Sequence, residues 1–406
     1  MTPPAVPVPR RTRPRRSRAI RSGTPGRRRV LAGVLAAALV LLAFPGVSLG
    51  RALAAPTSDP LGAKAAEWAR DHGLGFAVTA AEQVVYWLHP PKTGGTPDPS
   101  LLQPPAGSAD GGSDTTAPGR DATGSTGRHH AVAWALPHAP LTTVATPALP
   151  GEGVFRTVVR VDGHPAVQVA YLRPDPVHTS YLAAVTVFDP RLVRFVQHPG
   201  ATEPGHLGLF RQPDWLPPSE RSGLLATFNN GFKLADAHGG YQADHHTVVP
   251  LRTGAASLVV DVSGRIDVGS WGTEVGPGPQ VAAVRQNLQL LVDHGRVCAD
   301  VASNDPAVWG LTIAGADYVW RSGIGVDAHG TVIEVSGPSL SAPSLARLLQ
   351  RAGAVRAMEL DINPAWVSTM WYSGSGSTPH KVLPFSRPAD RYFTPSTRDF
   401  VAVYAR

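Results

Sequence analysis

From Gly151 onward the chain alternates short runs rich in Val, Thr and Tyr with Gly- and Pro-based turn signals, the texture of strands rather than helices. Val154 to Val161, Ala166 to Leu172 and Tyr181 to Phe188 are such runs. Ala256 to Val262 and Arg265 to Val268 flank Ser263-Gly264, which predicts a hairpin, and Gly323 to Asp327 and Thr331 to Val335 repeat it around Ala328-His329-Gly330. The period then changes. Ser341 is placed to cap a helix, Pro343 falls in its first turn, Leu345, Leu348 and Leu349 make an apolar stripe, and Gly353 ends it. Val355 to Leu360 is the returning strand, so a βαβ unit is expected with Asp361 at the carboxyl end, where open sheets place ligands. The expected fold is α+β: a mixed twisted sheet with flanking helices.

Upstream, Leu61 to His72 and Ala80 to Leu88 carry apolar residues at helical spacing, giving a helical juxtamembrane segment over 56–89. Residues 90–149 are expected as a linker, because from Pro90 to Arg128 they are mostly Pro, Gly, Ser, Thr and Asp. The folded domain is expected over 150–406. Residues 30–49 are uncharged and apolar, and residues 1–29 before them form a basic tail. That order is the layout of an export segment, with 30–55 either a membrane anchor or a signal peptide cleaved near Ala52-Leu53-Ala54. The expected location is the cell membrane, single-pass with the domain outside, or secretion after cleavage. Arg27-Arg28-Arg29 also loosely fits a twin-arginine signal.

The formal charge of +7 would suggest nucleic acid, but ten arginines and no acid lie in residues 1–29. Subtracting ten from +7 leaves −3 for the rest, so no basic face for phosphate backbones is expected in the body. The 406 residues contain 42 Gly and 40 Pro, which argues for turns and against a helical bundle. Cys298 is the only cysteine, which excludes an internal disulfide and a thiolate metal site and leaves a small buried hydrophobe as the expectation. His245 and His246 are adjacent and would point to opposite faces of a strand, so no metal site is expected from them.

Period-two alternation puts Glu359, Asp361 and Asn363 on one side of the strand end and Met358 and Leu360 on the other. Carboxylates about 6 to 7 Å apart at the backbone suit glycosidic chemistry, one as nucleophile or base and one as acid. The alternative is that Asp361 caps a loop and Glu359 pairs with an arginine. Arg321, opening Arg321-Ser322-Gly323-Ile324-Gly325, offers a fork that fits paired phosphate oxygens. Asn229 and Asn230 close an apolar run at Thr227-Phe228-Asn229-Asn230-Gly231-Phe232, as amide donors or as a plain turn.

Together these segments resemble the phosphodiester glycosidase domain family over roughly residues 150–406. The resemblance rests on four motifs in order: Phe228-Asn229-Asn230-Gly231-Phe232, Arg321-Ser322-Gly323-Ile324-Gly325, Ser344-Leu345-Ala346-Arg347-Leu348-Leu349 and Met358-Glu359-Leu360-Asp361-Ile362-Asn363. Two departures stand out: Asn230 replaces a family glycine, and Ile362-Asn363-Pro364 replaces the glycine run after the aspartate. The resemblance implies an exported hydrolase that cleaves a glycosyl phosphodiester in the cell envelope, without a cofactor. It gives Asp361 the role of nucleophile or base and Arg321 that of phosphate clamp, while Glu359 enters as the acid only through the carboxylate spacing. Asn229, Asn230, Asn363 and Trp366 would contact the carbohydrate. The rival reading is a non-catalytic glycan- or wall-binding protein that keeps the fold.

Overall fold

The computed structural model describes residues 45–57, 59–102, 113–115, 136–310 and 317–406. The basic tail, the apolar run up to residue 44 and half of the 90–149 segment, residues 103–112 and 116–135, lie outside the described residues. Residues 45–54 are helical and belong to one unit, while residues 55–406 form a second compact unit. Among the described residues no helix is long and apolar enough to cross a membrane.

The second unit is α+β and is built on three sheets. The largest has nine strands in the order Ser113–Thr115, Arg156–Val161, His164–Leu172, Ala183–Phe188, Val332–Leu340, Val319–Val326, Arg356–Glu359, Leu290–Asp293 and Arg296–Val297. A second sheet of five strands, all antiparallel, runs Ile266–Ser270, Ala256–Asp261, Val281–Gln286, Tyr241–Ala243 and His246–Val249. A third, also antiparallel, runs Thr378–Lys381, Thr369–Ser373, Leu224–Asn229, Phe400–Ala405 and Val193–His198.

The expected βαβ unit is present. Val319–Val326 pairs antiparallel with both Val332–Leu340 and Arg356–Glu359, so those two run parallel with one strand between them. The helix that joins them, Ala342–Arg351, begins with a capping box in which Ser341 and Ser344 satisfy each other's backbone N–H groups. It ends before Gly353, whose φ of 97° no side chain tolerates well. Leu345, Leu348 and Leu349 are buried against Val185, Ile333 and Val335 on one face of the large sheet. The opposite face presents Phe188, Val332, Ile324 and Met358 to a core shared with the other sheets, including Phe195, Phe228, Leu258 and Val401. The helix sits close because Gly323 has no side chain: a Cβ there would meet Leu349 Cδ1 at 3.1 Å and the Met358 carbonyl at 2.9 Å. The glycines of the Arg321-Ser322-Gly323-Ile324-Gly325 motif thus have a packing reason.

The helices near the N-terminal end of this unit are Leu61–Asp71 and Gly75–Leu88, the second starting five residues before the sequence-based boundary. Both described margins of the expected linker pack on the domain. Lys92 N–H donates to the Tyr181 hydroxyl at 3.1 Å, and Leu136, Leu141 and Ala145 are buried. Two local expectations change. His245 lies in a turn with φ 66° after Asp244 at 48°, so only His246 is on a strand. Cys298 is half-buried rather than fully buried, and burial pushes its thiol pKa up, away from reactivity.

Candidate functional site

The site is a corner where two sheets meet at strand ends. Leu224–Asn229 of the third sheet stops at Asn229, and Arg356–Glu359 of the large sheet stops two residues before Asp361. Ser322 ties the corners together. Its hydroxyl accepts from Asn229 Nδ2 at 3.0 Å and from Asp361 N–H at 3.1 Å. Asn287 locks the same strand end by donating to the Glu359 and Leu360 carbonyls at 3.0 and 2.9 Å.

Alternation behaves as expected, with Met358 and Leu360 in the inter-sheet core and Glu359 directed away from it. Glu359 Oε1 lies 2.6 Å from Arg321 Nη1, and both side chains are buried. The remaining Arg321 contacts go to the Trp309 carbonyl at 3.1 Å and the Leu340 carbonyl at 3.0 Å. This guanidinium therefore holds the strand end, the helix entry and Glu359 together. Burial pushes the Glu359 pKa up, against the pull of Arg321.

Asp361 has a different partner. Its Oδ2 accepts from Arg398 Nη2 at 3.2 Å, and its Oδ1 accepts from the Asn363 N–H at 2.9 Å. It is 4% exposed. Burial raises its pKa, while the Arg398 charge and the backbone N–H groups of Asn363 and Ile362 pull it down. Arg398 also donates to the Gly231 carbonyl at 2.9 Å, which brings the asparagine turn to the aspartate.

The two asparagines divide. Asn229 uses its whole amide internally, donating to Ser322 Oγ and the Asn230 carbonyl and accepting from Ser368 N–H at 2.9 Å. Asn230 is 2% exposed, and neither its Nδ2 nor its Oδ1 has a hydrogen-bond partner. A buried amide without partners is costly unless a ligand or water meets it. Asn363 closes a loop, its Oδ1 accepting from Ala365 N–H at 2.9 Å. Trp366 is buried, and three guanidinium carbons surround its ring: Arg387 at 4.7 Å, Arg398 at 5.3 Å and Arg391 at 5.7 Å. In this arrangement its faces are taken by arginine, not open for a sugar.

Arg398, Arg387, Arg391 and Ser322 are the participants that sequence reasoning missed. The Arg398-Asp399 pair directly before the apolar run Phe400 to Ala405 was the available signal. Phe400 pairs in register with Asn229, which is how Arg398 reaches the corner. A separate open cavity of about 600 Å³ is lined by His238, Arg252, Asp293, Cys298 and Asp300, and none of the residues assigned a catalytic or carbohydrate-binding role from the sequence lines it.

No protein-family model matches the chain, and no curated protein does either. Among solved structures it is similar to the catalytic domain of zebrafish N-acetylglucosamine-1-phosphodiester alpha-N-acetylglucosaminidase, auto-inhibited by its pro-peptide. That likeness has 14% identity and a TM-score of 0.40 over 59% of this chain and 82% of the other. A hypothetical protein from Synechocystis matches at 14% identity and a TM-score of 0.33, over 62% of this chain and 64% of its own. A Burkholderia pseudomallei protein described as exported matches at 12% identity and 0.29, over 57% of this chain and 75% of its own. All three are remote similarities of fold.

Proposed function

We propose that the chain is an exported hydrolase of glycosyl phosphodiesters of the cell envelope, with Asp361 as its reacting carboxylate. The supporting observation is the Asp361–Arg398 pair at a strand's carboxyl end, held to Asn229 through Ser322 and bordered by Arg387 and Arg391. A carboxylate beside a cluster of guanidinium groups matches a substrate with an electrophilic sugar carbon next to a phosphate. Asp361 attacks that carbon or takes a proton from the attacking water, and the carbon–oxygen bond to the phosphate breaks. A phosphate monoester leaves readily as an anion, so strong acid assistance is not required. Glu359 then serves as the counter-ion of Arg321, and both hold the site in shape. Asn230, with its free buried amide, is the contact to a sugar hydroxyl.

The purified full chain assayed on a panel of sugar phosphodiesters tests the reading. Release of free sugar and phosphate monoester, abolished in Asp361→Asn, is the expected result. Glycan binding without turnover on any member of the panel would favour the non-catalytic alternative.

A further inference from the structure

The exposed apolar side chains of the unit 55–406 gather on one short stretch. Of the nine large ones among its described residues, five fall between Leu61 and Leu88, and Phe76, at 74%, is the most exposed. The helix Gly75–Leu88 carries three of them. Phe76, Ala77, Ala80, Ala81, Val84 and Leu88 are all exposed and share one face of about 140° at 100° per residue. No polar residue interrupts that face. Val78 and Tyr86, on the other side, are half-buried, so the helix already turns a different side inward.

The preceding helix behaves differently. Leu61–Asp71 is half-buried along residues 63–70 and is fastened by Asp71 and Glu67, whose carboxylates lie 2.9 and 3.8 Å from Lys233 Nζ. Gly75–Leu88 has Glu82 as its one charged residue. A helix this apolar is normally covered, and a contiguous exposed apolar face marks a contact surface. The chain that leaves it is fixed on the domain, with Lys92 N–H on the Tyr181 hydroxyl at 3.1 Å and Gly94 N–H on the Val177 carbonyl at 2.7 Å. Val177 is itself exposed.

The order of the chain says what covers the face. Residues 30–49 are 20 residues without a charge, long enough as a helix to cross a hydrocarbon layer of about 30 Å. Ten arginines stand before them, which sets the direction of crossing. Only 25 residues, 50–74, separate that run from the helix. A segment used up in crossing the bilayer is not free to cover a helix beyond it, whereas the membrane surface where it emerges is within reach.

We propose that the helix Gly75–Leu88 lies along the outer surface of the membrane, with Phe76, Val84 and Leu88 in the boundary between headgroups and acyl chains. The domain is then held against the bilayer by a face of its own rather than swinging on a tether. This docking holds whatever reaction Asp361 carries out.

The test uses the full chain reconstituted in phosphatidylcholine–phosphatidylglycerol vesicles. Cys298, the only cysteine, is replaced by alanine, and a nitroxide is attached at Val84→Cys, at Leu88→Cys or, as an equally exposed control on another sheet, at Val262→Cys. Oxygen concentrates in lipid and a nickel chelate stays in water, so their collision rates with the label report its surroundings. At 84 and 88 oxygen should win several-fold over the chelate, and at 262 the order should reverse. Labels at 84 and 88 as open to the chelate as the one at 262 would overturn the proposal. So would protection from both reagents, which means a protein cover, or spin–spin coupling between labels on two chains, which means a second copy on this face.

Discussion

Arg398 Nη2 stands 3.2 Å from Asp361 Oδ2, with both side chains buried. The carboxylate would otherwise be pushed toward its neutral form by burial, and this guanidinium is the largest influence in the opposite direction. A general base or nucleophile must be ionised when it acts. Arg398→Met should therefore shift the acidic limb of the pH–rate profile to higher pH, because Asp361 then loses its proton less readily. The pH dependence of kcat/KM checks it, and an unmoved acidic limb would sever Arg398 from the ionisation of Asp361.

Asp361→Asn removes the charge and keeps the shape. Turnover of a sugar phosphodiester should fall by roughly 10²- to 10⁴-fold for a base, and further for a nucleophile. Stability should drop by about 1–3 kcal/mol, since Arg398 retains the Gly231 carbonyl but loses its closest counter-charge. Rates measured beside denaturant unfolding separate the two effects. Full activity in a folded Asp361→Asn variant would end the catalytic assignment.

Glu359 and Arg321 should answer differently, because their 2.6 Å pair is internal to the framework. Removing one partner strands a buried charge, so Glu359→Gln or Arg321→Met alone should cost about 3–5 kcal/mol. The double variant Glu359→Leu with Arg321→Met should recover part of that loss, since neither charge is then left alone. Chemical denaturation of the three variants gives the coupling directly. A loss in Glu359→Gln within about 0.5 kcal/mol, the range of ordinary surface changes, would contradict the framework role.

How much of this was legible beforehand follows from the range of each signal. The βαβ unit was readable because its cues are local: Ser341 caps its own helix, Leu345, Leu348 and Leu349 repeat at helical spacing, and Gly353 stops it within a few residues. Placement of Asp361 at the strand's carboxyl end came with it. Whether Glu359 or Asp361 meets an arginine, and which one, was not readable from spacing. Arg321 lies on the antiparallel neighbour of the Glu359 strand, where Gly323 pairs with Glu359, while Arg398 arrives from a different sheet. No periodicity in a single chain states which sheet's strand end faces which. Asp59 lies still further out of reach, because it meets Arg387 across more than three hundred positions. The Pro- and Gly-rich texture between 90 and 149 hid its packed margins for a related reason: a few apolar residues such as Leu136 and Leu141 suffice to dock a segment whose composition reads as linker.

The final prediction concerns Glu334, a buried carboxyl on the central strand Val332–Leu340. It has no cation partner in the described contacts; Thr369 Oγ1 donates to its Oε1 at 2.9 Å, and Oε2 has none. Burial is the dominant influence and raises its pKa from 4.5 to about 7, with hydroxyls of Thr369, Ser336 and Thr186 pulling the other way. The sign follows from proton binding. Between pH 4.5 and 7 the folded state keeps a proton on Glu334 that the unfolded state has released, so unfolding is favoured as pH rises. The stabilisation is fully present below pH 4.5 and gone above about pH 7, and the span of the shift corresponds to ~3 kcal/mol. Glu334→Gln keeps the size and the hydrogen bond from Thr369 without a titrating proton. The variant should match the parent near pH 5 and exceed it at pH 8, where the parent must hold a buried anion. Thermal unfolding of both proteins across that range is the measurement. Parallel curves for parent and variant would show that Glu334 does not titrate in the folded state between those limits.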